Sequence, residues 1–346
     1  MIRGLLRLPS RLSAPLALLL ALTSAAHAQP TAAPAPAPAP ATPKDTIDED
    51  TVTTSDGWTI PIWCYRIPDD ATPQGIVILL HDLGGSHASV EPLAKALQAA
   101  KCIVVAPDLR GHGDSEPPGK PGDRKRDDAF KSLKKPDFEM MAASRGGSVR
   151  DQSGIRGDVE CVRNWIVSQQ KRDEDRSLPR APLFVVGSGL GAIVAAHWVS
   201  ADAAWPDIAS GPQGREVAGL VMISPEIVTK GFAIAPALTR NALPYDERKP
   251  GTSMPVVFVA GADDRDARTL FKQMKVSRKD DWHDSRDREG SPRKPGEASL
   301  ILIDHPAGKS GDQLATTKTA DQRTRSIDPM ALIPGFVQMR AARARK

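Results

Sequence analysis

The stretch Leu183–Ala196, LFVVGSGLGAIVAA, decides how the rest of the chain is read. Four apolar residues, a turn with glycine at 187, 189 and 191, and a second apolar run have the outline of strand, sharp turn and helix. Two kinds of site use that outline. A dinucleotide-binding loop has the form G-x-G-x-x-A, here Gly187 through Ala192, with an acid about 20 residues on that closes the next strand. A nucleophile elbow has the form G-x-S-x-G, and its serine would here be replaced by Gly189. Asp202 has the spacing for the acid, but VSADAAWPD around it reads as helix end and loop. The elbow is therefore the preferred reading.

Outward from this turn, strands and helices alternate. TVTT, the turn SDG and WTIPIWCYRI read as an antiparallel hairpin. GIVILL, CIVVAPD, LFVV, VAGLVMIS, PVVFVAG and LILID are short apolar runs of the kind that buried parallel strands require. Helical spacing falls between them, in SVEPLAKALQAAK, GDVECVRNWIVSQQ, AIVAAHWV and ARTLFKQMK. That alternation implies an α/β architecture with a doubly wound, mainly parallel sheet, helices on both faces and functional groups beyond the carboxyl ends of the strands.

The strand ends carry His81-Asp82-Leu83-Gly84-Gly85-Ser86, Leu109-Arg110-Gly111-His112-Gly113-Asp114-Ser115, the opening turn, Ala262-Asp263-Asp264, and His305-Pro306 running to Gly311. From about Asp50 to the C-terminus the chain resembles the α/β-hydrolase superfamily, most closely its serine aminopeptidase and lysophospholipase branch. LLHDLGGS matches the oxyanion loop of that superfamily, and APDLRGHGDS is the most specific match.

The resemblance implies a degenerate triad. Gly189 stands at the nucleophile position, and Ser188 lies one residue early. The acid is kept as Asp264, with Asp263 its close alternative and helix capping its ordinary structural role. The superfamily's H-G-x-x-L reads Ser310-Gly311-Asp312-Gln313-Leu314 here, so the histidine has become Ser310. A hydroxyl does not take up a proton near neutral pH as an imidazole does. The oxyanion donors fall on the amides of Leu83 and Leu190. Asp82 replaces a glycine beside them and is expected to point outward as a loop residue, since an inward carboxylate would oppose developing negative charge. A register-shifted triad of Ser188, Asp264 and His305 is the alternative. Side-chain alternation along the strand turns Ser188 away from the cleft, and His305-Pro306 reads as a strand-ending turn. The leading function is a non-catalytic pseudo-hydrolase that binds a small molecule or a protein partner in the retained cleft. The rival is an active ester or amide hydrolase.

The 346 residues support one large domain. Residues 1–28 read as a signal peptide: Arg3, Arg7 and Arg11 precede APLALLLAL, and Ala26-His27-Ala28 offers small residues for cleavage. Without that leader the formal charge falls from +4 to 43 minus 42, or +1, which argues against nucleic acid and anionic membrane as partners. The reading is a secreted or periplasmic chain with no transmembrane segment once the leader is cut. Residues 29–48 contain PTAAPAPAPAPATPK and read as a disordered Pro/Ala linker, suited to a spacer. Residues 49–346 form the folded domain. Cys64, Cys102 and Cys161 show no metal spacing and read as buried free thiols. No cofactor or metal is expected. The charged segments DRKRDDAFKSLKKPDFEMM and KVSRKDDWHDSRDREGSPRK read as solvated loops, the first being a place where a partner could bind.

Overall fold

The computed structural model describes residues 46–119, 129–145, 154–171, 177–205, 214–239, 254–287, 289–318 and 327–344. The leader and most of the Pro/Ala linker lie outside them. The described residues all fall within one compact unit, Pro43–Lys346.

The strands are β1 (Ile47–Thr53), β2 (Thr59–Tyr65), β3 (Gly75–Leu80), β4 (Cys102–Pro107), β5 (Ser144–Arg145), β6 (Ile155–Arg156), β7 (Leu183–Ser188), β8 (Val217–Ile223), β9 (Val228–Thr229), β10 (Phe232–Ala233), β11 (Val256–Ala260), β12 (Trp282–Asp284) and β13 (Leu300–Asp304). The helices are α1 (His87–Ala99), α2 (Lys135–Met141), α3 (Asp158–Gln170), α4 (Leu190–Ala203), α5 (Ala235–Thr239), α6 (Arg265–Arg278), α7 (Gly311–Ala315) and α8 (Pro329–Ala344). Nine strands form one sheet in the order β1-β2-β4-β3-β7-β8-β11-β13-β12. The β1–β2 hairpin is antiparallel and joins β4 antiparallel; every other pairing in the sheet is parallel. The short pairs β5–β6 and β9–β10 stand apart from it.

The apolar runs form central strands because both faces of the sheet are covered. In β3, Ile76, Ile78 and Leu80 enter one core with α2, α3, α4 and α6, while Val77 and Leu79 enter the other with α1, α7 and α8. Each such side chain contributes roughly 1.5–3 kcal/mol by leaving water. Below APDLR, Arg110 is 1% exposed and bridges Asp158 and Asp56, which holds the loop after β4 in place. The three cysteines are buried and free, and burial pushes each thiol up to about 12. They are chemically inert packing residues.

Both charged segments contain more structure than their composition suggests. The first supplies α2, where Phe138 and Met141, three residues apart, turn into the core. The second supplies β12, an edge strand whose Trp282, His283 and Asp284 are all buried. Surrounding charge concealed one apolar helix face and one short strand. Among the described residues no helix is long and apolar enough to cross a membrane.

Candidate functional site

Strand β7 ends at Ser188 and α4 begins at Leu190, so Gly189 alone makes the turn, with φ 49° and ψ −116°. A residue with a side chain is strained there by roughly 1–3 kcal/mol, and glycine is not. A Cβ at Gly187 would strike the Gly191 carbonyl, and one at Gly191 would strike the His81 carbonyl. The glycine spacing thus lets strand, helix and the loop after β3 pack backbone to backbone.

That loop is fixed by His81, whose Nδ1 meets the Asp82 carbonyl at 2.8 Å and whose Nε2 accepts from the Leu109 amide at 3.1 Å. Asp82 then points inward, and this corrects the outward orientation expected from sequence. Its Oδ1 accepts from the amides of Leu83 (2.6 Å) and Leu190 (2.8 Å), the two groups expected to form the oxyanion hole. The physical reason is that the Leu190 amide at the N-terminus of α4 and the Leu83 amide in the loop after β3 converge on one point, and the adjacent Asp82 carboxyl is an acceptor within reach. The same carboxylate fills the space that a side chain at position 189 would need, because a Cβ on Gly189 would overlap it. Gly311, with φ 52°, flanks it on the other side, where a Cβ would overlap it again. Burial pushes the Asp82 carboxyl above its usual range, opposed by its two amide bonds and reinforced by the nearby Asp312 and Glu226.

Asp312, in the first turn of α7, is the residue that sequence reasoning missed. Its carboxylate accepts from the Asp82 amide at 2.9 Å and from the hydroxyls of Ser188 and Ser89. It thereby ties the loop after β3, the end of β7 and the start of α1 to α7. The available signal was its place two residues after Ser310 in the altered H-G-x-x-L stretch, but no spacing rule indicates that it folds back onto the elbow.

The remaining candidates make separate hydrogen bonds. Asp264 caps α6 by accepting from the Ala267 amide at 3.0 Å. Burial pushes the carboxyl upward, opposed by the Ala267 amide and the neighbouring Ser224 hydroxyl. Ser310 is exposed at the N-cap of α7. His305 is fully buried; its Nδ1 accepts from the Ala307 amide at 3.1 Å and its Nε2 meets Asp328 at 2.9 Å. The shifted set is therefore not assembled: Ser188 bonds Asp312, Asp264 bonds α6 and His305 bonds Asp328. His112, in the loop after β4, has its Nδ1 on the Arg110 carbonyl at 3.0 Å, and burial drives it down to about 3. Among the described residues no imidazole hydrogen-bonds to Ser188, Asp264 or Ser310, and no group of three His, Cys, Asp or Glu side chains is placed to hold a metal.

Residues 77–344 match the sequence profile of the alpha/beta hydrolase family. The chain belongs to that family. No curated protein sequence matches it significantly. Among solved structures it is similar to an esterase from Pyrococcus furiosus, at 14% identity and TM-score 0.51, over 87% of this chain and 94% of that one. A soluble variant of monoglyceride lipase from Saccharomyces cerevisiae, bound to a substrate analogue, aligns at 14% identity and TM-score 0.48, over 88% and 99% of the two chains. Only the first likeness has weight, and at that identity it concerns the fold. The turn after β7, expected from the sequence to be the nucleophile position, holds a glycine under a carboxylate.

Proposed function

We propose that this alpha/beta hydrolase family member is an exported, non-catalytic binding protein rather than a hydrolase. The observation that carries the reading is the Asp82 carboxylate on the amides of Leu83 and Leu190. A catalytic oxyanion hole must be free to receive charge that develops in the transition state. This one is already occupied by a carboxyl group from its own chain. Gly189 and Ser310 supply neither nucleophile nor base, and groups that act as one unit leave little behind when two are gone. The bound species is a small molecule or a protein partner.

The test is chemical. The purified chain is expected to leave p-nitrophenyl esters and aminoacyl anilides unhydrolysed and to resist fluorophosphonate labelling. Labelling that disappears in Ser188→Ala would overturn the reading and establish a serine hydrolase with a shifted nucleophile.

A further inference from the structure

With the catalytic position filled by Asp82, the space open to a ligand lies elsewhere. A cavity of about 850 Å³ sits between α2, α4, the β5–β6 pair and the segment from β10 into α5. Its lining includes none of Asp82, Ser188, Gly189, Asp264, Ser310 and Asp312. His197, which it does include, lies eight residues beyond Gly189 on α4, about 12 Å along the helix axis. Ligand pockets are commonly about 300–1,000 Å³, mainly apolar, with a few polar groups to orient the ligand.

The walls have that character. Met140, Ile155, Ala201, Phe232 and Pro236 supply apolar surface, and Ile155 is 42% exposed, as a residue at an open mouth would be. The charged residues at the rim, Lys135 and Glu139, pair one helical turn apart at 3.5 Å with more than half of each side chain in solvent, so neither charge is buried in the cavity. His197 stacks on Phe232 with ring centroids 4.4 Å apart, and its Nε2 lies 2.8 Å from the Ala233 carbonyl. Donating there leaves Nδ1 as the acceptor of a neutral ring, and burial shifts the imidazole in the direction that favours this neutral form. Among the described lining residues no buried charge is placed to meet a charged ligand, whose burial would be costly. They do offer a hydrogen-bond acceptor in an apolar setting.

We propose that this cavity binds an uncharged, mainly apolar small molecule carrying a hydrogen-bond donor. The inference rests on the binding reading above and gives it a place and a ligand class. N-phenyl-1-naphthylamine has the required chemistry and brightens on leaving water. Titrated into the full chain, it is expected to bind saturably at one site. Dodecan-1-ol should displace it at least tenfold more effectively than dodecanoate. Ala201→Trp, which fills the space, and Ile155→Asp, which charges the exposed mouth, should each weaken binding at least tenfold in chains whose circular dichroism matches the parent. Absence of saturable binding, equal displacement by dodecanoate, or unaltered affinity in folded Ile155→Asp would overturn the proposal. Fluorophosphonate labelling bears on the earlier reading alone. A chain that neither labels nor takes up the naphthylamine keeps the non-catalytic reading and loses this one.

Discussion

At the scale of single residues, Gly189 and Asp82 form a coupled pair: the missing side chain of one is the space occupied by the other. Gly189→Ser alone should destabilise the chain by about 1–3 kcal/mol or more, since backbone strain adds to overlap with the carboxylate. Removing the carboxylate with Asp82→Gly should relieve the overlap part of that cost. Denaturant melts of the two single variants and the double variant would then show coupling rather than additivity. Activity should follow the same logic. Gly189→Ser with Ser310→His should remain inert while Asp82 sits on the amides of Leu83 and Leu190. Esterase turnover is expected only when Asp82→Gly joins them. Strict additivity in the melts would refute the pairing, and turnover in the double variant with Asp82 intact would refute the block.

At the scale of elements, α4 ends unfavourably. Asp202 lies in its last turn, where the helix carbonyls already carry partial negative charge. It is 7% exposed, and burial, partly offset by the Glu216 amide at 3.0 Å, pushes its carboxyl up to about 6. A raised carboxyl keeps its proton in the folded chain at pH values where the unfolded chain has lost it. Its contribution is therefore complete below the unfolded value of 3.8 and is lost as pH rises toward 6, by about 3 kcal/mol at most. Asp202→Asn should remove that slope, leaving the variant more stable than the parent at pH 8 and about equal at pH 3.5. Identical pH dependence in both chains would show that the carboxyl is not shifted. Elements of this kind differ in how much the sequence discloses. The central strands were legible because burial on both faces demands unbroken apolar runs, and the sharp turn from β7 into α4 was legible because close packing demands its glycines. Asp312 and the inward turn of Asp82 were not. They depend on which loops meet across 230 residues of chain, and local pattern does not encode that. Helix α2 and strand β12 were hidden for a simpler reason, since a few apolar residues fixed them inside charged surroundings.

At the scale of the whole molecule, the proposed export is tested by mass. Cleavage after Ala28 leaves a chain that begins at Gln29, and intact-mass measurement of the secreted or periplasmic product should give that species. A membrane-bound product retaining Met1–Ala28 would refute it. The plugged elbow also constrains which routes of change are open to the chain. An inward carboxylate at position 82 is compatible only with a residue that lacks Cβ at 189. On any stepwise path from a serine-bearing ancestor, the serine therefore left before the carboxylate settled on the amides. The way back has the opposite order. A lone serine at 189 meets an occupied space and costs stability, so under the non-catalytic reading proposed above Asp82 acts as the pawl of a ratchet and has to move before a side chain can return to the turn.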